Sequence, residues 1–191
     1  MKNLIIFDCF GVLTSELAPV WFGKRFPPQQ AKELKERYFG NADLGGKTIS
    51  QLMDDLSSGL SIDKNVIIRE FTEIFSLNVE LLSYIRNLKL NRPDYDVALL
   101  SNAPQGLVES IFNEFGLYRR FDKIFISWQY KTAKPDRRFY EICLKGMGAK
   151  YGKIFMIDDN PTNLTGLTEM GITPVLFTNN AGLFAFLDGE L

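Results

Sequence analysis

Five short apolar runs of strand length mark the chain, at residues 4–7, 97–100, 124–126, 154–157 and 174–177. Their near-continuous hydrophobicity predicts strands buried on both faces, as in a parallel sheet. Between the later runs, apolar residues recur at helical spacing. Leu107, Ile111 and Phe115 share one face, as do Phe139, Ile142 and Cys143. Leu164, Leu167 and Met170 predict a further helix, with Gly171 as its stop signal. Strands that alternate with helices predict an α/β fold built of βαβ units.

The gap between the first and second runs is different. Residues 15–88 hold no convincing strand but several helical patterns: Ala31, Leu34 and Tyr38; Val66, Ile67, Phe71 and Ile74; Leu81, Leu82 and Ile85. Pro27-Pro28 and the glycine-bearing segment 40–46 punctuate them. A crossover rarely needs this length, so the segment reads as an inserted helical module. The expected division is a core of residues 1–14 and 89–191 and a helical insert of 15–88.

Composition narrows the chemistry. Formal net charge is −1, so no global basic field draws in nucleic acid. The apolar run at 4–7 is too short for a signal peptide, and no stretch approaches a membrane span. Cys9 and Cys143 form neither a disulfide framework nor a CxxC site, which fits a reducing, cytoplasmic setting. The chain has no histidine, which excludes Ser-His-Asp and Cys-His catalysis and histidine-bound zinc. Hydrolysis here must rest on carboxylates, hydroxyls, lysine, backbone amides or a hard metal ion.

Four segments at or near predicted strand ends carry such groups. Asp8 follows the first run; a turn or helix-cap aspartate is the bland alternative. Ser101 and Asn102 follow the second, where a hydroxyl and exposed amides suit an anion, although a serine also commonly starts a helix. Lys134, before Pro135, can act as a point charge against phosphate, or can simply be solvated. Asp158 and Asp159 follow the fourth run. Adjacent carboxylates repel unless a cation or hydrogen bonds offset them, and Mg²⁺ takes one or two such ligands. A helix start at Pro161 is compatible with that reading. In open α/β sheets ligands bind beyond the carboxyl ends of the strands, so the four segments can converge.

In this order the four segments resemble the haloacid dehalogenase-like hydrolases over almost the whole chain. Asp8 matches the family's nucleophile, Ser101 its second-motif hydroxyl, Lys134 its third-motif lysine, and Asp158-Asp159 its acidic fourth motif. The resemblance implies a Rossmann-like parallel sheet of order 5-4-1-2-3, with the insert as a cap over the site. It also implies Mg²⁺ held by Asp8, by Asp159 with Asp158 as helper, and by the backbone carbonyl of Phe10. Ser101 and the Asn102 amide would hold phosphate oxygens. The implied activity is hydrolysis of a small phosphorylated metabolite through an aspartyl-phosphate, in a branch resembling sugar-1-phosphatases.

Two positions depart from the family pattern. Its phosphatases usually carry an aspartate two residues after the nucleophile, as proton donor and base; here that residue is Phe10. Thr132-Ala133 replaces the glycine-containing approach to the lysine. Three readings of Phe10 follow: a phosphatase using another acid or a good leaving group, a 2-haloacid dehalogenase that needs no leaving-group proton, or a non-catalytic binding module. The paired acids favour the first, because the family's dehalogenases dispense with metal. Substrate choice is expected to reside in the insert, where Trp21, Phe22, Lys24, Arg25, Asn41, Asp43 and Lys47 are candidates, although Trp21 and Phe22 read more readily as core and Lys24 and Arg25 as solvated residues.

Overall fold

The protein is described here from a computed structural model covering residues 1–190. All five apolar runs are strands: β1 (Asn3–Phe7), β2 (Tyr95–Ser101), β3 (Lys123–Ile126), β4 (Ile154–Asp158) and β5 (Thr173–Leu176). They form one parallel sheet in the order β3-β2-β1-β4-β5, the expected order read from the other edge. β1 is central, hydrogen-bonded to β2 and β4, so its side chains find apolar cover on both faces.

Strand periodicity divides those faces. Leu4 and Ile6 of β1, Ala98 and Leu100 of β2 and Met156 of β4 enter one apolar cluster. The intervening Ile5, Phe7, Val97, Leu99, Phe155 and Ile157 enter another. The first face is covered by α8 (Arg137–Met147) through Phe139, Tyr140 and Cys143. The second is covered by α5 (Val79–Asn91), α6 (Leu107–Phe115) and α9 (Asn180–Glu190).

The insert contains α1 (Ala18–Gly23), α2 (Pro28–Asp43), α3 (Ile49–Leu60) and α4 (Lys64–Ile74). These four share a third cluster centred on Trp21, Phe22, Phe39, Leu52, Leu56 and Ile67. By contrast, Leu81, Leu82, Ile85 and Leu88 of α5 pack in the cluster against the sheet. The boundary expected at residue 88 therefore falls inside a helix that packs with the core strands.

Other expectations need correction. The stretch from Leu164 to Met170 is not one α-helix but parts of two 3₁₀ turns, Pro161–Leu164 and Leu167–Met170. Gly166 between them adopts φ 75°, a left-handed conformation that a continuing right-handed helix excludes. Segment 40–46 is not wholly a loop, because α2 runs through Gly40 to Asp43. Helices α1, α3 and α9 lie where no pattern was read. α3 begins at a capping box in which Thr48 and Gln51 satisfy each other's backbone N–H groups. The remaining α-helix among the described residues is the single turn α7 (Ser127–Tyr130), and a 3₁₀ turn spans Leu117–Arg120. No helix among the described residues is long and apolar enough to cross a membrane.

Candidate active site

Asp8 stands at the carboxyl end of the central strand, and the sheet fixes it there: its backbone N–H donates to the Ile157 carbonyl at 2.9 Å. Its Oδ1 accepts the Cys9 N–H at 2.6 Å. The chain then turns tightly, with the N–H groups of Leu13 and Thr14 both donating to the Cys9 carbonyl. Gly11 makes the turn possible at φ 81°, and it also clears space, since a Cβ there would collide with the Asp159 carboxylate. The first and fourth motifs thus pack through a gap that only glycine leaves.

Lys134 reaches the same point from the opposite side of β1. Its side chain is fully buried, with Nζ 2.8 Å from Asp8 Oδ1 and 2.6 Å from Asp158 Oδ2. The departure at Thr132-Ala133 does not misplace this lysine. The left-handed residue of its loop is Lys131, at φ 53°, and the Thr132 hydroxyl donates to Asp136 Oδ2 at 3.0 Å. Asp136 also caps α8, accepting from the Arg138 N–H. The Asn102 side chain clamps the loop by accepting from the Lys134 N–H and donating to the Lys134 carbonyl, each at 2.8 Å.

The two acids of the fourth motif differ. Asp158 is saturated. Its Oδ1 accepts from the Asn160 N–H at 2.9 Å and Asn163 Nδ2 at 3.0 Å, and its Oδ2 accepts from Lys134 and Asn163. Asp159 Oδ1, by contrast, is buried without a hydrogen-bond partner among the described residues, as is the hydroxyl of Ser101 at the end of β2. Buried acceptors left empty are costly and call for a ligand.

Charge leads to the same conclusion. Asp8, Asp158 and Asp159 bring ligand oxygens within 4.8 Å of one another. Lys134 is the one cation among them, held above its ordinary pKa because the charges of Asp8 and Asp158 outweigh burial. Burial pushes Asp8 well above the carboxylate range, opposed by Lys134 and reinforced by Asp158. Burial and then Asp158 raise Asp159 as well. A hard divalent cation fits this oxygen-rich, under-neutralised pocket with an empty acceptor.

A cleft of about 450 Å³ opens over these groups, lined by Asp8, Phe10, Asn102, Lys134 and Asp159 on the sheet side. The phenyl ring of Phe10 packs against the core and supplies no carboxyl there. The facing wall comes from Glu16 and from α2, where Lys32, Lys35, Glu36, Phe39 and Asp43 form one stripe. Burial, then the charge of Asp159, raises Glu16 to about 7. Burial raises Asp43 to about 7 too, opposed by Lys35 and supported by Glu36 and Glu16.

Of the insert residues singled out in the sequence, only Asp43 lines this cleft. Trp21 and Phe22 are core residues, while Arg25 pairs with Glu70 and Lys47 with Asp55. Glu16 and Lys35 were missed. The available signal was the i, i+3, i+4, i+7, i+11 spacing of residues 32, 35, 36, 39 and 43, which places them on one helix face.

The family profile described as haloacid dehalogenase-like hydrolase matches residues 2–171. The chain is 25% identical over 148 residues to a drimenol cyclase of Aspergillus calidoustus, covering 75% of this chain and 28% of that protein. It is 27% identical over 94 residues to the (S)-2-haloacid dehalogenase of Pseudomonas sp. (strain YL), covering 49% of this chain and 40% of that enzyme. It spans under half the length of either curated relative. The fold is similar to that of a HAD-family enzyme of Bacteroides thetaiotaomicron solved with magnesium and inorganic phosphate. There the TM-score is 0.73 at 22% identity, over 96% of this chain and 99% of that one.

Proposed function

Because the chain belongs to the haloacid dehalogenase-like hydrolase family, we propose that it hydrolyses a small phosphorylated metabolite with Asp8 as nucleophile. The observation that carries this reading is the buried Oδ1 of Asp159, without a hydrogen-bond partner among the described residues, beside the Asp8–Lys134 ion pair. A metal-free displacement does not need that acceptor.

An Asp8 carboxylate oxygen attacks phosphorus in line, its P–O bond forming as the ester P–O bond breaks. Lys134 holds Asp8 in place and offsets the negative charge that accumulates. The Ser101 hydroxyl and the Asn102 amide bind phosphoryl oxygens, and the Asn102 side chain keeps Lys134 aimed. Asp8, Asp159 and the Phe10 carbonyl are the groups assigned to hold Mg²⁺, with Asp158 as the acid that anchors Lys134. When bound, Mg²⁺ supplies charge stabilisation at the phosphoryl oxygens. Phe10 has no proton to give, so the leaving oxygen takes one from water or from Glu16, a cleft carboxyl whose pKa burial and the charge of Asp159 raise to about 7. Water then attacks phosphorus of the aspartyl-phosphate, releasing phosphate and restoring Asp8.

Helices α1–α4 act in this reading as the cap, with α2 facing the reacting groups. Two free, buried cysteines support a cytoplasmic setting. Phosphate release from a panel of phosphate monoesters, with Mg²⁺ and with chelator, tests the reading. A folded Asp8→Asn protein that retains full turnover would exclude it. Phe10 also favours a second reading, displacement of halide from a 2-haloacid by Asp8, which needs no leaving-group proton. Halide release that chelator leaves intact would select it.

A further inference from the structure

A second hollow adjoins the cleft. Leu17 and Leu107 line the cleft, and the same two side chains line this hollow of about 410 Å³. This hollow runs between α3 and α4 on one side and α6 on the other, walled by Met53, Ile68, Phe71, Ile111 and Phe115. Of the charged side chains there, Lys64 is held by Asp54 at 2.6 Å and Glu114 is exposed. Ile68 and Phe115 are 44% and 42% exposed, so large apolar side chains face solvent across the groove. Water in such a groove finds few hydrogen-bond partners and is displaced favourably by apolar matter. The volume lies within the range of small-molecule sites, roughly 300–1,000 Å³.

We propose that this groove binds an apolar chain carried by the substrate, whose phosphoryl end lies at Asp8 and whose chain passes Leu17 and Leu107 to run between α4 and α6. Adjacency argues for this occupant: Leu17 and Leu107 border both the cleft over Asp8 and the groove, so a chain anchored at Asp8 that passes them enters the groove. The inference rests on the phosphoryl-transfer reading and narrows it. It selects phosphate esters of alkyl or similarly apolar groups over bare sugar phosphates.

The test measures binding apart from turnover. Methyl- and octylphosphonate, which cannot be hydrolysed, are titrated into the Mg²⁺-supplemented protein by calorimetry, below the micelle concentration of the octyl compound. Each buried methylene contributes about 0.8 kcal/mol, so even two of them give roughly tenfold tighter binding of the octyl compound. Ile68→Glu, which places a charge on the exposed wall of the groove, should abolish that gain and leave methylphosphonate binding unchanged. Equal binding of the two phosphonates, or an octyl preference that survives Ile68→Glu, overturns the inference. So does a protein that sediments as a dimer and becomes a monomer on Ile68→Glu, because the groove is then an interface between copies. Hydrolysis of methyl and octyl phosphate separates the two claims. An octyl binding preference with no phosphate release from either ester or from an aryl phosphate, whose leaving oxygen needs no early proton, retires the phosphatase reading and keeps the groove. Release that is indifferent to chain length retires the groove.

Discussion

The Asn102 side chain closes a ring of two hydrogen bonds with the backbone of Lys134, both at 2.8 Å. β2 therefore fixes the third motif as well as contributing the second, and the lysine is aimed by a neutral residue outside its own loop. Asn102→Ala should lose both bonds at about 1 kcal/mol each, lowering stability by roughly 2 kcal/mol in denaturant unfolding. Turnover should fall further than the folded fraction does, because Lys134 loses its register against Asp8. A variant with native stability and full activity would show that the loop holds itself.

Asp159 makes the opposite case, since its Oδ1 has no hydrogen-bond partner among the described residues and its pKa is raised by burial and by Asp158. Removing its charge relieves strain on the metal-free protein but takes away the ligand. Asp159→Asn should hold or raise the metal-free Tm while weakening Mg²⁺ binding at least tenfold by titration. A Tm that drops sharply, with Mg²⁺ affinity unchanged, would make Asp159 a structural residue.

β1, β2 and β4 and the motif residues at their ends were legible because buried parallel strands are written as unbroken apolar runs that end in a polar residue. β5 read as equally buried, yet it is an edge strand with Thr173, Pro174 and Leu176 exposed, and Lys134 lies beyond α7 rather than at the end of β3. Asp8, Lys134, Asp158 and Asp159 do converge. Their unequal roles were not legible. Asp158 is saturated and Asp159 is not because of hydrogen bonds from Asn160 and Asn163, whose direction no spacing specifies. Glu16 and Lys35 escaped notice for a related reason: a charged residue on a helix reads as solvated until another element is known to face it. α5 read as part of the insert because helical periodicity says which face is apolar, not which cluster it joins.

That last point gives a deletion test. We propose α1–α4 as a unit with its own apolar centre, whereas α5 contributes Leu81, Leu82, Ile85 and Leu88 to the core against the sheet. Replacing residues 18–74 with a short linker should leave a chain that unfolds cooperatively. Replacing 15–88 should not, because several buried leucine and isoleucine side chains at about 2–5 kcal/mol each exceed ordinary domain stability. Cooperative unfolding of the longer deletion would assign α5 to the insert.

Glu16 and Asp43 make stability depend on pH. Both are raised to about 7 in the folded protein, from ordinary values of 4.5 and 3.8. The folded state then holds these protons more tightly than the unfolded state. Their contribution is favourable at low pH and is lost as pH rises through the interval from about 4 to 7. Glu16→Gln and Asp43→Asn should each raise Tm at pH 8 and leave it nearly unchanged at pH 4. A gain at pH 4 that vanishes at pH 8 would reverse the sign and remove both groups from the buried wall.

Phe10 sets the chemical preference. A positioned acid typically contributes about 10² to 10⁴-fold, and its value grows with the basicity of the leaving oxygen. Aryl and acyl phosphates release an oxygen that carries its own negative charge, so they need an early proton less than alkyl phosphates do. The protein should therefore hydrolyse aryl or acyl phosphates faster than alkyl ones. Phe10→Asp should raise alkyl-phosphatase turnover by more than aryl-phosphatase turnover. The substitution replaces a packed ring with another carboxylate beside Asp8 and Asp159, where burial and like charge already raise both pKa values. Thermal unfolding must therefore confirm a folded variant before rates are compared. The packing loss is bounded because Phe10 is only partly buried, so the variant should survive with a lowered Tm. In a folded Phe10→Asp protein, equal or lower rates on both ester types would mean that the missing acid does not limit this site. Halide release from 2-haloacids would then be the measurement that decides what Asp8 attacks.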